Sequence, residues 1–533
     1  MLNLRSILDY APVVLRFGTS GRRGKVVDLT QLEIYANALG ELRYLQSLPP
    51  AAGGLSIGDE FYFAHDLRPS SLALVPEEGG RGEICQAVVQ AILDAGMVPV
   101  NLGPIPTPAL ALYAFARHRG SIMVTGSHIP FDLNGYKLNT SLGEILKEQE
   151  APITESVTAV REGLFAEPST KTAFNAQGMF RDGHRALPPV DPAARATYVA
   201  RYSDFFSGSP LAGKRIVAYQ HSAVGRDILV EILRNLGAEV VALGRSDTFV
   251  AIDTEAIGAT ELATLQGLAD AASASGSVWA VASTDGDSDR PLLLGVEDGS
   301  VQFFGGDLVG MVTAEYLGAD AVVVPITCND GIDRGALASR LEPKTKVGSP
   351  FVIVGMEKAL EKGRTTVCGW EANGGFLLGS VVHRKGVLLQ PLATRDATLP
   401  ILSVLCAAAE SGGSLASIFK RLPKRYSRAA LKRPFPRTTG IALINFLKTL
   451  NPEGIHQLFG SEFAPVLGTD LTDGVRILFA NGDVVHFRPS GNADEFRIYA
   501  VADAAERADE IIADGLAEPD GIIRRIERAA RKA

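Results

Sequence analysis

Short runs rich in valine, isoleucine and alanine recur along the chain: EFYFAHD (60–66), SIMV (121–124), RIVAYQHS (215–222), VWAVASTDGD (278–287) and AVVVPITCND (321–330). Longer alanine- and leucine-rich segments separate them. Such alternation predicts α/β units with largely parallel or mixed sheets. In sheets of that kind ligands collect where loops leave the carboxyl ends of strands, so the residues just after each run are the first place to look for chemistry. A polar, proline-bearing stretch at 166–194 interrupts the pattern and reads as an insertion or linker. ESGGSLAS (410–417) marks another break. Beyond it, a helical TTGIALINFLKTL, three short strand candidates (GVRILFA, DVVHFRPS, EFRIYAV) and terminal helices predict a smaller α+β unit. The division expected is 1–188, with the linker at 166–188, then 189–299, 300–412 and 413–533. Three α/β units of similar size leave a distant internal repeat open.

Composition narrows the partners. A chain of 533 residues that is 46% hydrophobic and 21% charged has ample material for buried cores. Its net charge of -8 and the absence of a long basic run argue against nucleic acid or an anionic membrane as the main partner. No segment approaches the ~18 apolar residues of a membrane span, and the N-terminus lacks a basic-then-apolar leader pattern. Cys85, Cys328, Cys368 and Cys406 are far apart, with no C-x-x-C pair, which predicts reduced, buried thiols and a cytoplasmic protein. IIRRIERAARKA at the C-terminal end reads as a solvated basic helix.

Four loops stand out. In STDGDSDRPLLLG (283–295), Asp285, Asp287 and Asp289 alternate directly after an apolar run. Three carboxylates at one strand end repel each other unless a cation intervenes, and hard oxygen ligands suit Mg²⁺. An EF-hand would need glycine and glutamate where Arg290 and Val296 stand. A phosphatase with an aspartate nucleophile remains open on this stretch alone. RFGTSGRRGK (16–25) offers backbone N–H groups at Gly18, Gly21 and Gly24, with Arg22 and Arg23, as an anion cradle. Its spacing is not that of a nucleotide P-loop. RPSGNADEFRIY (488–499) supplies a second cradle from Arg488, Ser490, Gly491, Asn492 and Arg497. CGWEANGGFLLG (368–379) presents Glu371 and Asn373, a carboxylate and an amide able to bond adjacent hydroxyls of a sugar.

Taken in order, FGTSGRRG, TGSHIP, DGDSDR, WEANGG and RPSGN resemble the loops of the phosphohexomutase superfamily of phosphoglucomutases and phosphomannomutases, over nearly the whole chain. The resemblance implies four domains around a central cleft: three mixed-sheet α/β domains and a C-terminal α+β domain. It implies that Ser127 carries a covalent phosphoryl group as phosphoserine, and that Asp285, Asp287 and Asp289 hold Mg²⁺ with a phosphoserine oxygen completing the set. It also implies that hexose 6-phosphate and hexose 1-phosphate interconvert through a hexose 1,6-bisphosphate intermediate. By position, Lys137 matches a proton-transfer residue, and His128 and Arg290 match side chains flanking the phosphoryl group. Thr19, Ser20 and Arg23 match the N-terminal loop that approaches it. Arg488, Ser490, Gly491, Asn492 and Arg497 match the loop gripping the non-reacting phosphate, and Glu371 and Asn373 the loop reading sugar hydroxyls. Small hexose phosphates are the partners so implied, with mannose phosphate ahead of glucose phosphate, and a monomer or homodimer is expected.

Several positions depart from the family pattern. Gly126 and Ile129 stand where alanine and asparagine are common, and Gly375 where histidine is usual. VGSPFVI lacks a lysine often found there, and Asn492-Ala493-Asp494 replaces threonine, glutamate and proline. A phosphosugar-binding protein without turnover is the alternative from outside the enzyme class.

Overall fold

Each of the recurring apolar runs is a strand in the computed structural model, which describes residues 2–18, 21–255, 257–489 and 494–532. The first sheet has the order Arg22–Lys25, Leu133–Asn139, Ser121–Val124, Glu60–His65, Val98–Pro104. Glu60–His65 runs parallel to both of its neighbours, while Leu133–Asn139 is antiparallel to both of its own. The second sheet has the order Ser300–Phe303, Pro291–Glu297, Ala280–Thr284, Arg215–His221, Glu239–Arg245. Its last three strands are parallel and the other two return antiparallel. In the third, Ala321–Val323 is parallel to Val367–Trp370, and Phe376–Leu378 and Leu392–Asp396 are antiparallel additions.

One device recurs in all three. A strand with a parallel neighbour runs out into a loop and comes back as an antiparallel strand at its side. The serine loop joins Ser121–Val124 to Leu133–Asn139, the aspartate loop joins Ala280–Thr284 to Pro291–Glu297, and the glutamate loop joins Val367–Trp370 to Phe376–Leu378. The repeat left open by the sequence is therefore a repeat of topology, with a candidate site loop at the same place in each unit.

Strand periodicity explains why these runs are apolar throughout. Phe61, Phe63, Ile122 and Val124 face one core, packed on the helix Gln31–Ser47. Tyr62, Ala64 and Met123 face the other way, into a core shared with Tyr198, Ile216, Val322 and Trp370 from the second and third units. Fully burying one such side chain contributes about 1.5–3 kcal/mol. The first three units thus share a continuous interior.

The fourth sheet is antiparallel throughout, in the order Tyr426–Lys432, Phe496–Ala502, Val484–Pro489, Val475–Phe479, Val466–Asp470. Three of its strands are those the sequence marked. The outer two escaped notice because they lie at the edges and are half exposed. This unit has its own core around Phe459, Phe487, Ile498 and Ile526. Arg425, its side chain wholly buried, ties it to the third unit through Asp330 at 2.6 Å and Asp503 at 2.7 Å.

Two expectations are refined. Residues 166–194 are not a free tether, for Phe174 and Phe180 stack at 4.9 Å and pack against Tyr35. The C-terminal helix Ile522–Ala530 buries Ile522, Ile523 and Ile526, while Arg524, Arg525 and Arg528 pair with Glu518, Asp514 and Asp520. All four cysteines are buried and unpaired. Among the described residues no helix is long and apolar enough to cross a membrane.

Candidate active site

Ser127 lies just beyond the strand Ser121–Val124, fully buried and with a left-handed φ of 53°. For a residue with a Cβ that conformation costs on the order of 1–2 kcal/mol, so something must hold it. Two anchors do. Thr125 Oγ1 accepts from Ser127 N at 2.8 Å and donates to Asp66 Oδ2 at 2.7 Å. Arg68 donates to the carbonyls of Pro130 and Leu133 at 2.7 Å, of Ser127 at 3.1 Å, and of Ile129. The Arg68 guanidinium also stacks on Phe249, 3.8 Å from the ring centre. A Cβ at position 126 would sit 2.5 Å from that guanidinium, which accounts for Gly126 in place of alanine.

The aspartate loop brings the three carboxylates together. One oxygen from each of Asp285, Asp287 and Asp289 lies within 4.8 Å of the others, and all three residues are buried. Ser127 Oγ donates to Asp285 Oδ2 at 2.7 Å, so the serine and the acids meet as expected. Thr107 Oγ1 donates to Asp287 Oδ2 at 2.5 Å and Thr107 N to the Asp287 carbonyl at 3.0 Å, fixing the loop to the N-terminal end of the helix Thr107–Phe115. Lys137 Nζ sits 2.6 Å from both Asp287 Oδ2 and Asp289 Oδ2.

The donor set fits a hard divalent cation. Asp287 Oδ1 and Asp289 Oδ1 are buried and accept no hydrogen bond from the described residues. Oxygen atoms so placed retain lone pairs for a metal such as Mg²⁺.

Charge is shared unequally. Burial, then Asp287 and Asp289, push the Asp285 carboxyl up to about 8. Burial also pushes Asp289 upward, but Arg395, Lys137 and Arg290 outweigh it and hold that carboxyl far below the usual range. Lys137, with help from Thr107, overcomes burial and Asp289 to leave Asp287 low as well. Below about pH 8 a proton on Asp285 therefore competes with the cation, so affinity should rise with pH up to that point and level off above it. Titration with Mn²⁺ between pH 6 and 9 is expected to show a gain of roughly tenfold per unit on the acid side.

Cations line the other flank. Arg290 Nη1 donates to His128 Nδ1 at 2.8 Å. Burial, then Arg290 and Arg23, hold the His128 ring well below its ordinary range, so it is neutral and Nδ1 is an acceptor. Arg23 is lowered to about 10 by burial and by Arg290, and remains charged at neutral pH. Its neighbour does not join the cradle expected of the pair. Arg22 turns inward to Glu41 at 2.5 Å and lies 4.0 Å from the centre of the Phe17 ring. Successive strand residues face opposite sides, and only one of two adjacent arginines can reach the cleft. Gly21 has a φ of 92°, and a Cβ there would meet the Tyr136 carbonyl at 2.3 Å. Thr19 and Ser20 lie outside the described residues.

In the glutamate loop, Gly374 N donates to the Glu371 carbonyl at 2.8 Å and Gly375 N to Asn373 Oδ1 at 3.0 Å. The Asn373 carbonyl accepts from Thr254 Oγ1 at 3.1 Å. Arg395, which sequence reasoning did not select, joins Glu371 to Asp289. Arg488 and Arg497 form a separate group in the fourth unit, directly opposite each other on neighbouring strands. Like charges so placed repel unless an anion lies between them. Arg488 Nε bonds Asp473 Oδ2 at 3.0 Å, an oxygen that also accepts from Val347 N at 3.1 Å. Ser490, Gly491 and Asn492 lie outside the described residues.

Residues 14–163 match the family model for phosphoglucomutase/phosphomannomutase, alpha/beta/alpha domain I, and residues 305–426 match domain III. A phosphomannomutase from Sinorhizobium fredii is 39% identical over 94% of this chain and 98% of its own length. One from Salmonella muenchen is 36% identical over 93% of this chain and 94% of its own. Among solved structures, a phosphoglucomutase/phosphomannomutase family protein from Burkholderia thailandensis shares the fold with a TM-score of 0.65 at 18% identity, covering 100% of this chain and 98% of that one. With a buried serine bonded to a triad of aspartates, three topologically equivalent loops and relatives matched along almost their whole length, the chain belongs to the phosphoglucomutase/phosphomannomutase family.

Proposed function

We propose that the protein interconverts hexose 6-phosphate and hexose 1-phosphate, with Ser127 as the phosphoryl carrier and a hexose 1,6-bisphosphate as intermediate. The observation carrying this reading is the 2.7 Å bond between Ser127 Oγ and Asp285 Oδ2 at the edge of a buried three-carboxylate cluster. In the forward half-reaction the free hydroxyl of the sugar attacks phosphorus on phosphorylated Ser127. The new O–P bond forms as the Ser127 Oγ–P bond breaks, and the hydroxyl proton ends on the serine oxygen with Lys137 as relay. Arg23 and Arg290 hold the phosphoryl oxygens in line, while neutral His128 is kept in place by Arg290. A Mg²⁺ ion held by Asp285, Asp287 and Asp289 would neutralise charge on the transferred group. Arg488 and Arg497, with Ser490, Gly491 and Asn492, grip the phosphate not reacting, and Glu371 and Asn373 read the sugar hydroxyls. The bisphosphate then turns and returns its other phosphate to Ser127.

Mannose phosphate is the first choice of substrate, supported by the names of the two curated relatives. Glucose phosphate, or use of both, is the second. Assays with mannose 1-phosphate and glucose 1-phosphate, each with Mg²⁺ and a trace of its 1,6-bisphosphate, test this directly. Turnover on mannose phosphate should exceed that on glucose phosphate by about tenfold or more, an amount one misplaced hydroxyl can supply. Equal turnover would remove the mannose preference, and no interconversion of either would remove the mutase reading.

A further inference from the structure

The Arg395 side chain bridges two loops from different units. Its Nε and Nη2 lie 3.0 and 2.9 Å from Asp289 Oδ2, and its Nη1 lies 3.0 Å from Glu371 Oε2. All three side chains are nearly or wholly buried. The stem is fixed as well as the head. A Cβ at Gly375 would lie 2.6 Å from Arg395 Cδ and 2.8 Å from its Cγ, so the arginine runs through space that any other residue at 375 would claim. The next residue, Asp396, accepts hydrogen bonds from Tyr198, at 2.6 Å, and from Tyr202, which pins the strand Leu392–Asp396 to the helix Ala193–Phe205 of the second unit.

We propose that Arg395 is a positioning residue coupling the sugar-reading loop to the cation-binding loop, with Gly375 required to let its side chain pass. The proposal rests on the reading of Glu371 as a sugar contact and of the aspartates as cation ligands. Among the described residues one guanidinium bridges two carboxylates. Whatever draws Glu371 away shifts Arg395 toward Asp289, where it competes with the cation; whatever draws Asp289 away shifts Arg395 toward Glu371 and holds that side chain in place. Such coupling is reciprocal between the two ligands.

The test needs no turnover. Mn²⁺ affinity is measured by electron paramagnetic resonance on the full chain without sugar phosphate, for wild type, Glu371→Gln, Arg395→Gln and the double variant. In the wild-type background Glu371→Gln should weaken Mn²⁺ binding by about fivefold or more, the lower range of a coupling between sites. In the Arg395→Gln background the same change should alter it by less than about twofold, the two effects no longer being linked. An equal shift in both backgrounds, as a simple long-range field would give, overturns the proposal, as does no shift in either. Gly375→Ala adds a probe that leaves every charge intact: by displacing the arginine stem it should move Mn²⁺ affinity in the same direction as Arg395→Gln. Should Arg395→Gln fail to fold, Arg395→Lys takes its place, since a lysine reaches one carboxylate at a time; it should reduce the Glu371→Gln effect to about twofold, and an undiminished effect counts against the coupling. Failure of mutase activity in the wild-type assay would instead remove the functional reading and leave these metal affinities standing.

Discussion

Ser127→Ala is expected to lower interconversion of hexose phosphates by on the order of 10⁴-fold or more, the scale seen when the group that forms the covalent intermediate is removed. The change deletes one oxygen and keeps a Cβ, so the left-handed backbone at 127 is no more strained than before, and the Arg68 and Thr125 anchors on the loop remain. Fold and cation binding should therefore survive. Intact-mass measurement separates the outcomes. Wild type incubated with hexose 1,6-bisphosphate gains one phosphoryl group and Ser127→Ala gains none. Full turnover in the variant, or phosphate found on Asp285 instead, would transfer the covalent role to the carboxylate and favour a phosphatase-like mechanism.

Asp287→Asn should give the second-largest loss. Asp287 offers a buried oxygen with no hydrogen-bond donor among the described residues, and its other oxygen is held by Lys137 and Thr107. Removing its charge deprives the cation of a ligand while leaving the shape of the loop intact. A bound metal contributes several kcal/mol of charge stabilisation in the transition state. At about 1.4 kcal/mol per factor of ten this corresponds to roughly 10²–10³ in kcat. Stability should fall as well, because Lys137 holds the Asp287 carboxylate low in the folded protein and the variant takes one partner from that buried ammonium. A lowered midpoint with unchanged kcat would mean that Asp287 serves the fold alone.

The site was legible where its residues are contiguous. DGDSDR puts three aspartates within a few positions of a strand end, so they could be named from periodicity and spacing, whereas the roles of Ser127 and His128 followed from the resemblance of TGSHIP to a family loop. Arg68 and Arg395 could not be named. Each reaches its loop from a strand or turn that only the tertiary fold brings near: Arg68 is 59 residues from Ser127 and Arg395 is 106 from Asp289. The sole trace either left was the small residue opposite it, Gly126 for one and Gly375 for the other, noticed as departures with no visible cause. Arg22 and Arg23 teach the converse. Both read as cradle residues, although the alternation of a strand from Arg22 to Lys25 was enough to send one inside.

Ser127 and the three aspartates have no contact with solvent. Side chains so enclosed cannot meet a sugar phosphate until something around them moves. The fourth unit has a separate interior and is joined to the third through the buried Arg425, so an outward movement of it would have to loosen the Arg425–Asp330 pair. Viscous solvents are expected to slow turnover and, with it, phosphorylation of Ser127 by a hexose bisphosphate, since both need the same opening.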